Sequence, residues 1–386
     1  MTKLYIIRHA EAEGNLYRRV QGHYDSLVTD MGREQIAALW ARFSDIHIDA
    51  VYSSDLNRAM TTARGLSMSR GLAVKTTPRL REVYMGHWED VTWAQLEREE
   101  PEQLYYFSRD PSRWDIGSNE KFDEQKNRIV SAVLDIAALH PDETIAIVSH
   151  GNVIRSLLTH ALDLPPERFE ESAHSDNTGV SLLEVEGDEM RVVFMNDNSH
   201  LPPEISTFAR QSWWRKGKRR DGNMDFVPMD LENETHIERY LAYRKEAWVT
   251  CYGDLDDFDQ AAILAGARAQ AKGNPRAVVE AILGEQSAGL LELAIERDTS
   301  PGAGAISCLY LAPAFRGRGL GVQLIGHAVS VYRPLGRDRL VYWLGEKERD
   351  VFGFFRRFGF IKAGETEEAG GVFWQLEKNI AIQKLD

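Results

Sequence analysis

Two histidines and two arginines in this chain stand just after short apolar runs. Arg8-His9-Ala10, with Glu11, follows the run at residues 4–7. Arg58 lies in Ser53-Ser54-Asp55-Leu56-Asn57-Arg58-Ala59, after the run at 50–52. Ser149-His150-Gly151 follows the run at 144–148 and precedes a helical segment. Together they could carry phosphoryl transfer. Its transition state spreads charge over three oxygens, so catalysis is positioning and electrostatic stabilisation. A guanidinium presents a planar fork that matches two of those oxygens. A neutral imidazole can attack phosphorus and become a phosphohistidine, provided an acceptor fixes its other ring nitrogen. The leaving oxygen also needs a proton donor. Glu82, in Leu80-Arg81-Glu82-Val83-Tyr84-Met85-Gly86-His87-Trp88-Glu89, is the candidate. A carboxyl beside a phosphate and away from bulk water holds its proton nearer neutral pH. Each short motif alone is commonplace; their order and their placement at strand ends give them weight.

That placement requires an open sheet. In parallel sheets the carboxyl ends of all strands share one edge, where ligands bind. Strands are expected at 4–7, 50–53 and 144–148, with helices at 32–43, 57–67, 127–139 and 152–161. Segments 180–185 and 190–196 read as a terminal strand pair. Strands alternating with helices predict a largely parallel sheet covered on both faces, an α/β fold with three layers, α/β/α.

The pattern breaks at Pro202-Pro203. Residues 212–222, Ser-Trp-Trp-Arg-Lys-Gly-Lys-Arg-Arg-Asp-Gly, are basic, aromatic and Gly-punctuated. They read as a linker, and the sharper alternative is an anion-steering patch. The expected organisation is 1–201 as one domain, 202–224 as a basic linker and 225–386 as a second domain. In the second part, helices are expected at 234–249, 321–332 and 350–358, and strands at 277–284, 289–297, 305–311, 340–344 and 372–376. This is an α+β pattern.

The 386 residues exceed one ordinary core. With 43% apolar and 27% charged residues the composition is that of a globular protein. A formal charge of −13 argues against nucleic acid as a partner, because phosphate neutralisation needs excess Lys and Arg. It leaves room for an anionic metabolite held by a local cluster of cations. Cys251 and Cys308 are too few for a disulfide framework, and no metal-ligand spacing is present. No segment reaches membrane-spanning length or reads as a signal peptide, so a cytoplasmic location is expected.

The first half resembles the histidine phosphatase superfamily, also called phosphoglycerate-mutase-like, over about residues 1–200. The resemblance rests on Arg8-His9 with Glu11 and Asn15, then Gln21-Gly22 with Asp25, Thr29 and Gly32. It continues through Ser53–Ala63, then Glu82 with Gly86, Trp88 and Glu89, then Ser149-His150-Gly151, then Asn196-Asp197 with Ser199-His200-Leu201. It implies His9 as nucleophile, Arg8, Arg58 and His150 as phosphate holders, and Glu82 as proton donor and later base. It implies Asn15, Gln21, Gly22 and Gly151 as phosphate or substrate contacts, and no cofactor. Ala10 stands where Gly is common. Segment 91–121 is short and lacks the clustered arginines a mutase would use to grip a bisphosphate, which favours a phosphatase.

In the second part, Arg316-Gly317-Arg318-Gly319-Leu320-Gly321 joins a strand to a helix. Glycines let backbone N–H groups approach an anion, and the helix dipole adds to it, so the turn could hold a pyrophosphate; an ordinary turn is the alternative. About residues 226–380 resemble the GNAT acyltransferase superfamily. Arg316, Gly319 and Gly321 match its acetyl-CoA signature, and Phe354–Phe360 its late helix ending in Gly-Phe. The resemblance implies that the backbone of Leu309–Leu311 meets the pantetheine arm of acetyl-CoA. Where the family often has a proton-donating Tyr, this chain has Phe355. Glu292 and Glu296 are candidate bases for an amine, with solvent-facing strand positions as the alternative. Three readings stay open: a bifunctional phosphatase and N-acetyltransferase, a phosphatase with an acetyl-CoA sensor, and a phosphoglycerate-type mutase with a binding module. The sequence leaves the oligomeric state open.

Overall fold

In the computed structural model, which describes residues 1–211, 222–295, 301–368 and 371–382, β1 (Thr2–Arg8) is an inner strand because both its faces are apolar. Around it are α1 (Glu13–Tyr17), α2 (Asp30–Arg42), β2 (Ala50–Ser53), α3 (Asn57–Ser67), β3 (Val74–Thr76), α4 (Trp93–Glu99), α5 (Pro101–Arg109), α6 (Phe122–Leu139), β4 (Thr144–Ser149), α7 (Gly151–Ala161), β5 (Val180–Glu186), β6 (Glu189–Asp197) and the short α8 (Thr207–Arg210). The sheet order is β3-β2-β4-β1-β5-β6. Leu4, Ile6, Ile145 and Ile147 pack against Ile129 and Val133 of α6 and Val153 and Leu157 of α7. Ile7, Val51, Ala146 and Val148 pack against Leu39 of α2 and Ala59 and Ala63 of α3. The alternation of strand residues between two apolar layers produces the expected α/β/α arrangement.

β1 to β4 are parallel, whereas β5 runs antiparallel to β1 and β6 antiparallel to β5. The chain enters β5 from the carboxyl edge, where Thr178 N donates to Arg8 O at 3.1 Å and Arg8 N to Gly179 O at 3.1 Å. This return brings residues 175–177 against His9.

The chain divides into two compact units, Met1–Asp221 and Gly222–Gln383. The second contains β7 (Met224–Pro228), α9 (Glu234–Tyr252), α10 (Gln260–Gly273), β8 (Val278–Leu283), β9 (Gln286–Ala294), β10 (Ala303–Leu311), α11 (Gly321–Tyr332), β11 (Arg339–Leu344), α12 (Phe352–Arg357), β12 (Ile361–Glu368) and β13 (Gly371–Asn379). The order is β12-β13-β11-β10-β9-β8-β7, and β10/β11 is the parallel pair among otherwise antiparallel neighbours. That pairing runs from Ala303↔Arg339 to Ile306↔Tyr342 and stops, while β10 continues to Leu311. The two strands therefore part at Ile306 and Tyr342. No helix among the described residues is long and apolar enough to cross a membrane. The basic run 212–221 and Glu296 lie outside the described residues.

Candidate active site

His9 follows β1 and is buried, 4% exposed. Its N–H is held by Ser149 O at 2.9 Å, and its carbonyl accepts Asn177 Nδ2 at 3.0 Å. Its Nδ1 lies 2.7 Å from the carbonyl oxygen of Ala10. A carbonyl can only accept, so Nδ1 carries the hydrogen and Nε2 the lone pair when the ring is neutral. Burial, then the charges of Arg58 and Arg8, hold His9 well below the usual histidine pKa. The acceptor that the sequence could not identify is thus the next residue's backbone.

Arg58 is fully buried. Its Nη1 donates to Tyr24 O at 2.9 Å and its Nη2 to Gly22 O at 2.8 Å. Arg8 Nη1 donates to Ser175 O at 2.6 Å. The Nε atoms of both arginines are buried without a partner among the described residues. Burial lowers both guanidinium pKa values, so an adjacent anion would offset a real cost. The His150 ring lies 5.2 Å from that of His9, fully buried, and neither of its nitrogens has a partner among the described residues. Burial, then Arg58 and His9, push its pKa well down. Orphaned donors on three side chains around one imidazole fit a phosphoryl group.

Glu82 sits at the N-terminus of α7. Its Oε1 accepts Val83 N and Val153 N, each at 3.0 Å, and its Oε2 accepts Asn152 N at 3.0 Å. Oε2 therefore retains a lone pair for a proton. Gly151 opens α7, and a Cβ there would stand 3.3 Å from Arg8 Nε. Gly22 gives Arg58 its carbonyl, and a Cβ would fall 2.2 Å from Glu89 Oε1. Glu89 in turn accepts His23 N at 2.7 Å and Tyr24 N, fixing the loop that holds Arg58. Asn15 Oδ1 accepts Ala12 N at 3.1 Å, and Gln21 accepts from Ser26 Oγ.

In the second unit, the parting of β10 and β11 opens a cleft of about 820 Å³. Ser307, in mid-strand, is exposed where the register of β10 against β9 shifts between Ile306 and Cys308. Leu309, Leu311, Arg316, Gly317, Gly319 and Gly321 line the cleft. Gly317 (φ +70) and Gly319 (φ +74) are left-handed. Arg316 Nε donates to Leu311 O at 2.7 Å. Arg318 is not a lining residue; its guanidinium lies 5.6 Å from the Phe315 ring centroid. Phe355 is buried and stacks on Tyr342. Glu292 is not solvent-facing. It is buried, accepts Tyr240 OH at 2.8 Å and lies 3.7 Å from Arg244, because α9 covers this part of β9.

Residues 4–198 match the histidine phosphatase superfamily (branch 1), and residues 234–360 match the acetyltransferase (GNAT) family. The chain belongs to the histidine phosphatase superfamily and carries a GNAT domain after it. Phosphoglycerate mutase-like protein 4 of Arabidopsis thaliana is 34% identical over 203 residues, 52% of this chain and 86% of that protein. Phosphoserine phosphatase 1 of Hydrogenobacter thermophilus is 27% identical over 201 residues, 52% of this chain and 95% of that protein. The solved structure of YhfR from Bacillus stearothermophilus is 32% identical with a TM-score of 0.50, covering 52% of this chain and 99% of that one.

Three contributors to this histidine phosphatase site escaped sequence reasoning. Ser175 and Asn177 hold Arg8 and His9, and Thr62 Oγ1 accepts Ala10 N at 3.0 Å. A signal existed: Ser175-Asp176-Asn177-Thr178 is a polar run directly before a buried strand, where backbone groups need partners. In the GNAT domain, the strand gap, the left-handed glycines and the N-terminus of the 12-residue α11 fit acetyl-CoA: a free β10 edge for its amides and N–H donors for its pyrophosphate.

Proposed function

We propose that the first domain hydrolyses small phosphomonoesters through a phosphohistidine at His9, and that the second transfers an acetyl group from acetyl-CoA to an amine. The observation that carries the first part is the Nδ1–H of His9 held by Ala10 O, which aims a neutral Nε2 at a site ringed by orphaned donors. Nε2 attacks phosphorus and the bond to the leaving oxygen breaks. Arg8, Arg58 and His150 bind the equatorial oxygens. Glu82 gives its proton to the leaving oxygen, then takes one from the water that attacks the phosphohistidine. Free phosphate and His9 result. Asn15, Gln21, Gly22 and Gly151 shape the substrate side.

Release to water, rather than mutase retention, is favoured by the segment after the proton donor. Its arginines are engaged: Arg98 with Glu99 at 3.0 Å, Arg109 with Glu170, and Arg113 with Tyr106 OH at 2.6 Å. None of the three has the buried, unpaired Nε that Arg8 and Arg58 present to a phosphoryl group. The names of the relatives make phosphoserine and phosphoglycerates the first members of a substrate panel. Rapid acid-quench and base-quench of the protein with p-nitrophenyl phosphate tests the mechanism. An acid-labile, base-stable phosphoenzyme absent from His9→Ala is expected. Substantial turnover by His9→Ala would sink the assignment.

A second reading of the GNAT domain, acetyl-CoA sensing without transfer, is favoured by Phe355, which has no proton to give. Calorimetry with acetyl-CoA on the full chain tests binding. Thiol release against an amine panel then separates enzyme from sensor.

A further inference from the structure

We propose that Tyr342 takes the place of the absent tyrosine at position 355 and protonates the thiolate leaving acetyl-CoA. The inference rests on the acetyl-transfer reading above.

Tyr342 is the last β11 residue paired with β10, at the apex of the gap between the two strands. It lines the cleft, is 9% exposed, and its phenol has no hydrogen-bond partner among the described residues. The phenol oxygen is not sealed from the cleft, so a ligand there can accept its hydrogen. Its ring stacks on Phe355 with centroids 4.8 Å apart and planes 20° apart. The hydroxyl that residue 355 lacks is thus carried by the ring lying against it.

Arg244 Nε and Trp248 Nε1 in the cleft are also unpaired among the described residues, but neither gives up a proton near neutral pH, and the stronger acids there are engaged. Tyr310 OH donates to Glu246, and Glu348 Oε2 lies 3.4 Å from Gly345 N, which donates to it. The Cys308 thiol is hydrogen-bonded with Arg244 and the Cys251 thiol with Glu348, so neither is free to serve the cofactor, and burial raises both. Burial, then Glu348 and the two cysteines, raise the Tyr342 phenol too, so it stays protonated until a basic thiolate forms beside it.

The step balances without a further reactant. The amine nitrogen bonds to the acetyl carbon and the carbon–sulfur bond breaks. Sulfur takes the Tyr342 proton. The proton lost by the new amide nitrogen returns to the tyrosinate. The sum is an amide and a free thiol.

The test uses the full chain and two readouts. Tyr342→Phe removes an unpartnered hydroxyl, so the fold should persist. Calorimetry compares coenzyme A with desulfo-coenzyme A, which lacks the sulfur. The wild type should prefer coenzyme A by about fivefold, as one hydrogen bond to sulfur predicts, and Tyr342→Phe should lose that preference. Thiol release from acetyl-CoA with hydroxylamine as acceptor should slow by about 10²-fold in Tyr342→Phe, the usual scale for a lost general acid. Adding Phe355→Tyr should restore at least a tenth of the wild-type rate. An equal sulfur preference in wild type and Tyr342→Phe overturns the proposal and leaves acetyl-CoA binding standing. Failure of the wild type to bind acetyl-CoA overturns the acetyl-transfer reading and the proposal with it.

Discussion

The carbonyl oxygen of Ala10 accepts the Nδ1–H of His9 at 2.7 Å, so the nucleophile's tautomer is set by the backbone of the residue that follows it. No charged partner is needed, and none raises the basicity of the ring. The surroundings instead favour the neutral form, as burial and the Arg58 and Arg8 charges act in the same direction.

Stability should therefore fall in mild acid. His9 and His150 titrate well below their ordinary value when folded, chiefly through burial. The unfolded chain takes up those protons near pH ~6.5. Their contribution is fully present above that pH and is lost as pH falls toward the folded values. The slope is about 1.4 kcal/mol per pH unit for each proton taken up on unfolding. Calorimetry should show a nearly constant Tm between pH ~8 and ~7 and a decline below pH ~6. His9→Asn should reduce that slope by about one proton. A slope unchanged in His9→Asn would contradict the shifted titration.

Glu82 is predicted to matter in proportion to how badly the leaving group needs a proton. Glu82→Gln keeps an acceptor for some of the three backbone N–H groups but cannot give a proton. In single-turnover phosphorylation, alkyl phosphates should slow by about 10²–10³-fold. p-Nitrophenyl phosphate, whose leaving group is stable as an anion, should slow by less than about tenfold. Equal losses on both would remove Glu82 as the acid.

Sequence and structure agree best where chemistry and periodicity coincide. The strands ending at Arg8, Ser53 and Ser149 are short, have apolar centres at 4–7, 50–52 and 145–148 and are followed by polar motifs, so their shared edge could be argued before any coordinates. The missed elements lack that contrast. β3 is three residues of mixed burial, and β12 (Ile-Lys-Ala-Gly-Glu-Thr-Glu-Glu) is an edge strand with one paired side and little apolar alternation. α10 is Ala-rich with Ala267 as its one buried residue, so it has almost no apolar stripe. At the site, residue types were legible but not their partners. Nothing in the order of residues says that Ala10 O, Ser175 O and Gly22 O are the acceptors, because backbone groups look alike in sequence. Tyr342 was overlooked for a related reason. In a buried strand a tyrosine reads as core, and only its stacking on Phe355 gives it meaning.

Arg58→Lys should fail to substitute for arginine. Each Nη gives one N–H, to Tyr24 O and to Gly22 O, which leaves the Nε–H, the second hydrogen of each Nη and the delocalised charge for the phosphoryl group. One ammonium cannot hold two carbonyls and a phosphate in that planar arrangement. A fall in kcat/KM of about 10²-fold is expected, the scale found for one lost transition-state donor. Thermal melting should drop as well, since the loop at residues 22–24 loses an anchor. A variant with near wild-type kcat/KM would show that charge alone is sufficient.

The glycine turn of the GNAT domain can be tested against a matched control. Gly319 (φ +74) and Gly284 (φ +64) are both left-handed, and a Cβ at either meets no atom within 4 Å. Alanine at each should impose similar backbone strain, about 1 kcal/mol. Only Gly319 lines the cleft; Gly284 joins β8 to β9. If the turn brings its N–H groups to a pyrophosphate, Gly319→Ala puts a methyl group where that anion must approach. Its acetyl-CoA affinity should fall by at least tenfold, while Gly284→Ala binds as the wild type does at a similarly lowered Tm. Equal affinities in the two variants would mean that the cofactor phosphates lie elsewhere, because strain, the shared effect, would then be the whole effect.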